Sequence, residues 1–227
     1  IKLDHIILRL QLFGESSKFK KYKNKKILEP KIALTKLMNS PIDKRTIRSI
    51  ISLKFNGALE FGPQYVDREK ITCGNLTELG RIYAELPCSI TYSKLIMMTY
   101  AIGMLDIGIV IGAIFHVDKK IFIKTSQIKS INQCNRYYKT IENYSVGTNC
   151  DIITSYNAYK EWFNNFGKNL FKNYNIKNKQ LIRLDTETHN EELLFCEEKM
   201  LNYKILREVL INAADINIRL INLGIYR

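Results

Sequence analysis

Between Leu76 and Phe115 the chain reads LTELGRIYAELPCSITYSKLIMMTYAIGMLDIGIVIGAIF, and no other segment limits the fold so tightly. Thr77 can cap a helix that Pro87 ends, because proline lacks an N–H and its ring clashes with the preceding turn. From Leu95 to Phe115 the run is long enough to cross a bilayer, but it carries one charge, Asp106, near its middle. A mid-bilayer carboxylate is costly, and Gly103 and Gly108 flank this one. Two buried helices, about 89–103 and 106–115, satisfy the pattern better than one span. Gly103 would end the first and Asp106 would cap the second. The expectation is no membrane segment.

The chain has 227 residues and 46% hydrophobic content, enough to bury a core in one large domain or two small ones. Thirty-five basic against 22 acidic residues leave a net charge of +13. Such an excess favours an anionic partner, and with the membrane reading set aside, nucleic acid is preferred over a merely solvated lysine-rich surface. The five cysteines form no CxxC pair and lie near no histidine cluster, so no metal site is expected. Reduced thiols in an intracellular protein, of nucleus or cytoplasm, are the expectation. His5, His116 and His189 are scattered and read as structural.

Apolar residues at Leu3, Ile6, Ile7, Leu10 and Leu12–Phe13 predict a lead-in helix, and Glu15–Lys26 holds six lysines and reads as an exposed loop; residues 1–27 form a lead-in and basic insertion. Pro30 opens a short segment. Asp43 can then cap a helix over 44–55 with Ile47, Ile50, Ile51 and Leu53–Phe55 on its buried face, stopped by Asn56–Gly57. Ala58–Phe61 and Lys70–Cys73 read as two short strands around a turn at Gly62–Arg68. Helix, helix, hairpin and helix predict a winged-helix domain over 28–88.

Residues 89–227 predict an all-helical domain. Residues 119–139 are basic and partly irregular, Thr148–Phe163 is an amphipathic helix, and 167–192 reads as a loop with little structure of its own. Two helices, about 193–201 and 202–223, close the chain. Ile205, Val209, Ala213, Ile216 and Leu220 line one face of the last, and Gly224 ends it. The fold class is mainly α, and no internal repeat is visible.

Several separated segments, in order, resemble the helicase-associated region of DEAH/RHA-type RNA helicases. They are Ile6–Leu12, Pro30, and Ile47–Leu59 ending in Gly57-Ala58-Leu59. Leu76-Thr77, Leu79-Gly80 and Leu86-Pro87 follow, then Lys94-Leu95, Gly103, Leu105-Asp106 and Ile111–Ala113. The last are Asp151, Asn157-Ala158-Tyr159 and Trp162, then Cys196, Leu201 and Leu206-Arg207-Glu208-Val209. Each is weak alone; five such blocks in order across nearly the whole chain are specific. The Lys18–Lys26 run looks like an insertion, and 119–139 lacks the family's "R.PF..P" pattern.

The resemblance implies a winged helix followed by a ratchet-like helical bundle. In that family these close a tunnel over single-stranded RNA together with two motor domains and an OB-fold of the same polypeptide. It implies a piece lying between the second motor domain and the OB-fold. No GxxxxGK[ST] loop or DExH sequence occurs here, so ATP and Mg2+ are expected in the motor domains, with no cofactor and no catalytic residue in this part. Contacts to single-stranded RNA are expected at the start of the 148–163 helix, where Thr148, Asn149, Ser155 and Asn157 are polar. Arg207 is the charged candidate on the last helix. The bundle offers bland roles for the same residues: Thr148 and Asp151 as caps, Asn157 bonded within the bundle, Trp162 in the core, Arg207 paired with Glu208. Two alternatives stay open, a stand-alone winged-helix nucleic-acid binder and a platform on which an activator protein docks.

Overall fold

The computed structural model describes residues 3–15, 30–37, 39–60, 73–172, 174–175, 180–181 and 186–225. They are mainly helical and divide into two compact units, residues 1–98 and 99–227. The Lys18–Lys26 insertion, the Gly62–Arg68 turn and residues 70–72 of the second expected strand lie outside the described residues.

In the first unit α1 (Leu3–Glu15) packs on α2 (Pro30–Thr35), α3 (Asp43–Phe55) and α4 (Glu78–Glu85). Ile7 and Leu8 of α1, Leu34 of α2, Ile50 and Leu53 of α3 and Tyr83 of α4 belong to one buried cluster. The buried face of α3 is Thr46, Ile50 and Leu53, at spacings of four and three. Ile51 and Phe55, expected inside, are exposed at 37% and 74%. Burial follows the i, i+4, i+7 stripe, and those two fall off it.

After α3, Gly57 takes φ +74°, a conformation that suits glycine, and ends the helix as expected. The chain then forms an antiparallel bridge between Leu59 and Leu76, with the Glu60 amide donating to the Asn75 carbonyl at 2.9 Å. Thr77 fastens this bridge to α4. Its Oγ1 donates to the Gly57 carbonyl at 2.6 Å and accepts from the Gly80 amide at 2.9 Å, the capping bond expected from sequence.

Asp43 does not cap α3. It is the first helical residue, preceded by Ile42, and no side chain caps that end. The same displacement recurs at Asp106. Helix α5 (Ile90–Ala101) ends in a Schellman turn in which Met104 N–H bonds to the Thr99 carbonyl at 2.8 Å and Gly103 N–H to the Tyr100 carbonyl at 3.0 Å. Helix α6 (Leu105–Val117) starts one residue before Asp106, so the carboxylate sits inside the first turn and favours the helix dipole instead of capping. The two-helix reading therefore holds while its capping residue does not. Among the described residues no helix is long and apolar enough to cross a membrane.

The second unit is built on α6 against α11 (Tyr203–Asn222). Leu206, Val209, Ala213, Ile216 and Leu220 of α11 are buried, as are Ile109, Ala113, Ile114 and Val117 of α6. A segment at 121–123 pairs with 200–202: Ile123 N–H donates to the Met200 carbonyl at 2.9 Å and Asn202 N–H to the Ile121 carbonyl at 2.8 Å. Helix α8 (Asp151–Trp162) packs on α7 (Ile131–Ser145) and on α6, and continues through one π-helical turn, Phe163–Gly167, into α9 (Lys168–Lys172).

The basic stretch 119–139 is partly irregular, as expected, and its last part, from residue 131, is the start of α7, opened by Ser130, whose hydroxyl accepts from the Gln133 amide at 3.2 Å. Two expectations for this unit are corrected. The stretch read as an unstructured loop, 167–192, contains α9, a two-residue antiparallel pair of β1 (Tyr174–Asn175) and β2 (Gln180–Leu181), and the start of α10 (Thr186–Glu198). The polar composition hid α10 because most of its surface faces water while Glu192 and Cys196 point inward. The 148–163 helix begins at Asp151, three residues later than read.

Burial controls the thiols. Cys73, Cys88 and Cys196 are buried and Cys134 and Cys150 half-buried. Burial first, then the Glu192 carboxylate, pushes the Cys196 thiol up to about 12, against the lowering effect of Arg207; burial also raises Cys88. Iodoacetamide at pH 8 should therefore label Cys134 and Cys150 first, with Cys88 and Cys196 modified only on unfolding. Mass spectrometry of timed samples checks this. Because the folded state holds the Cys196 proton more tightly, its stabilising effect is complete below about pH 9 and is lost as pH rises towards 12. Thermal midpoints should fall across that window.

Candidate nucleic-acid interface

The expected contact residues fall into two groups in the second unit. At the entrance to α8, Val146 and Gly147 both take left-handed backbone, φ 49° and 73°, which turns the chain sharply out of α7. Thr148 then folds back, its Oγ1 donating to the Ser145 carbonyl at 2.6 Å, and Asn149 is exposed. Cys150 stands at the N-cap of α8 with no side-chain bond to the helix. Neither Thr148 nor Asp151 caps; the first amides of α8 are left for other partners. Ser155, one turn further, is half-buried.

Of the expected residues Ser155 lines a cleft of about 370 Å³, as does Asp151 at the start of the helix; Thr148 and Asn149 do not. Its floor is apolar: Ile114 and Phe115 from α6, Ile121 and Phe122 from the following segment, Tyr137 and Ile141 from α7, and Ile152 from α8. Its polar groups are Asp118, Lys119, Lys120, Asp151, Thr154 and Ser155. Phe122 is held from below by Tyr137, edge-on at 6.4 Å, and by Tyr144 at 6.1 Å. Asp118, at φ 52°, ends α6 in left-handed backbone, and Lys119 and Lys120 follow it directly. Sequence reading gave these two lysines only as part of a basic stretch; the signal for their position was their place immediately after the apolar run of α6.

Asn157 has its side chain turned into the bundle, where Nδ2 donates to the Tyr144 carbonyl at 2.9 Å and ties α8 to the end of α7. Trp162 is fully buried, and its Nε1 donates to Glu192 at 3.1 Å.

Arg207, itself half-buried, joins this set and is not paired with Glu208. Its Nε donates to Glu192 Oε1 at 3.1 Å, its Nη2 bonds to Glu192 Oε2, and Nη2 also lies 3.1 Å from His189 Nδ1. Its guanidinium stands over the Tyr203 ring, 5.6 Å from the centroid. Glu192 is wholly buried, so Trp162 of α8, Glu192 of α10 and Arg207 of α11 form one cross-link through three helices. Glu208 turns the other way and pairs with Lys119 at 2.9 Å, which connects α11 to the rim of the cleft. Of the five expected residues, then, Thr148, Asn149 and Ser155 gather at the head of α8, while Asn157 and Arg207 hold polar contacts inside the bundle. Among the described residues no cluster of three or more histidine, cysteine, aspartate or glutamate side chains is set to hold a metal.

No protein-family model matches the chain. The ATP-dependent RNA helicase TDRD9 of Homo sapiens is 29% identical over 159 residues, which is 70% of this chain and 11% of that protein. A probable ATP-dependent RNA helicase spindle-E of Aedes aegypti is 33% identical over 142 residues, 60% of this chain and 10% of that protein. The spindle-E of Culex quinquefasciatus is 37% identical over 89 residues, 39% and 6% respectively. The chain is similar to part of these ATP-dependent RNA helicases. It spans about a tenth of their length or less.

Proposed function

We propose that this chain is an accessory region of an ATP-dependent DEAH/RHA-type RNA helicase, holding single-stranded RNA while motor domains elsewhere in the polypeptide bind ATP and Mg2+ and hydrolyse the nucleotide. In this reading residues 28–88 are the winged helix, residues 89–227 are the ratchet-like bundle, and with an OB-fold they complete the RNA tunnel inside a nuclear or cytoplasmic enzyme. The observation that carries it is the similarity over 159 residues to a protein named as an RNA helicase. The net charge of +13 and the ordered sequence blocks agree with it.

Within the second unit the strand runs past the head of α8. Phosphates approach the open amides there and the adjacent Lys119 and Lys120, while Thr148, Asn149 and Ser155 supply hydroxyl and amide contacts that read no sequence. Arg207 and Asn157 act indirectly, by holding α8, α10, α11 and the end of α7 together. The chain itself carries out no chemistry.

The test is Lys119→Glu with Lys120→Glu. Lys119 gives up only an exposed pair with Glu208, worth little to stability. Affinity for single-stranded RNA should fall about tenfold irrespective of sequence. The slope of log affinity against log salt should flatten by about 0.7 for each phosphate that is no longer neutralised. An unchanged affinity and slope would remove the cleft rim from the RNA path. A second reading, a docking platform for an activator protein, is favoured by the exposure of Ile42, Ile51 and Phe55 in the first unit, at 65%, 37% and 74%.

A further inference from the structure

We infer that the cleft beside α8 receives an unstacked nucleobase of the bound strand, so that the second unit grips RNA by a base as well as by phosphates. The inference rests on the proposed RNA-binding role and adds to it a ligand class for the cleft. A phosphate-only track needs basic groups and open amides, and no cavity. Here about 370 Å³ opens behind the lysines, floored by Phe115, Phe122, Ile141 and Ile152. Apolar and aromatic walls of that kind favour a planar heterocycle leaving water, because every base has a π-face to stack.

The charges around the cleft are arranged for the two ends of a nucleotide. Lys119 and Lys120 suit the phosphate. Asp118 and Asp151 line the same cleft, and carboxylates there would repel a phosphate but accept from a base. All four RNA bases carry at least one N–H on the Watson–Crick edge: an amino group on adenine and cytosine, an imino group on uracil, and both on guanine. Acidic acceptors over an apolar floor therefore suit any base and discriminate weakly between them. Thr154 lines the cleft too, but its hydroxyl already donates to the Cys150 carbonyl at 3.0 Å, so it can only accept.

The experiment compares binding of the full 227-residue chain to two single-stranded RNAs of equal length, one with ordinary bases and one with abasic positions along its centre. Both present the same phosphates. The base-bearing strand should bind about tenfold more tightly. Ile141→Trp, which fills the cleft and leaves both lysines in place, should bring that strand down to the abasic level without changing abasic binding. Circular dichroism checks that the variant folds, and the comparison on the unaltered chain needs no variant. Equal affinities would overturn the base cleft and leave the phosphate track standing. Absence of binding to either strand at low salt would overturn both.

Discussion

Arg207→Ala is expected to be the most destabilising single change in the second unit, at about 3–5 kcal/mol. The loss arises from what is left behind. Glu192 is wholly buried and accepts from both Arg207 and Trp162; without the guanidinium, a carboxylate remains in the core with one indole N–H and a histidine 3.4 Å away. An unpaired buried charge costs far more than a surface pair contributes. For a chain of this size the thermal midpoint should fall by roughly 10 °C. Adding Glu192→Gln to Arg207→Ala should recover part of the loss, since the amide oxygen can still accept from Trp162 and no buried charge remains. If Arg207→Ala shifts the midpoint by only a degree or two, the cross-link does not hold the three helices together. The same geometry governs how an Arg207→Glu variant is read. Two carboxylates would face each other in the core, so lost RNA affinity would report a damaged bundle and could not by itself identify a contact.

Gly80→Ala should destabilise the first unit by about 1–3 kcal/mol, although alanine is the better helix former by about 1 kcal/mol. Gly80 lies in α4, and a Cβ built there would fall 2.0 Å from the Ala58 carbonyl oxygen and 3.0 Å from Leu76 Cδ1. The first of these atoms is backbone, tied to the rest of the unit by the Thr77 N–H at 3.1 Å, so it cannot swing aside. The helix must back away, loosening the Thr77 cap and the Leu59–Leu76 bridge together. Denaturant titration decides between the two signs: an increase in stability would mean that this close approach is absent in solution.

Gly80 shows how far sequence reading reached. The Leu76-Thr77 and Leu79-Gly80 block was legible as a motif, and Thr77 as a cap, because a hydroxyl before a helical run is local information. The reason for the glycine was not, because the carbonyl it avoids belongs to Ala58, far back in the chain before the Leu59–Leu76 bridge. The misplaced caps at Asp43 and Asp106 have a related cause. Each carboxylate sits in the first turn, where it also favours the helix, and composition does not separate a cap from the residue after it. Helix α7 was not assigned from sequence because most of its length is exposed and polar.

At the candidate site the head of α8 was legible to within three residues, since the amphipathic stripe fixes a helix and its polar lead-in suggests an open end. Arg207 was legible as a charged residue on the last helix and not as the partner of the buried Glu192. Its partner stands 15 positions away on another helix, inside a segment that reads as polar loop.

The sequence by itself determined the helical class, the split of the apolar run at Gly103, the basic surplus and the resemblance to a helicase-associated region. Periodicity, glycine conformation and net charge are properties of neighbouring residues or of simple sums. Only the tertiary structure decided that Trp162, Glu192 and Arg207 form one buried cross-link and that Lys119 and Lys120 border an apolar cleft. Those pairings depend on burial and direction, which arise only when α6, α7, α8, α10 and α11 close on one another.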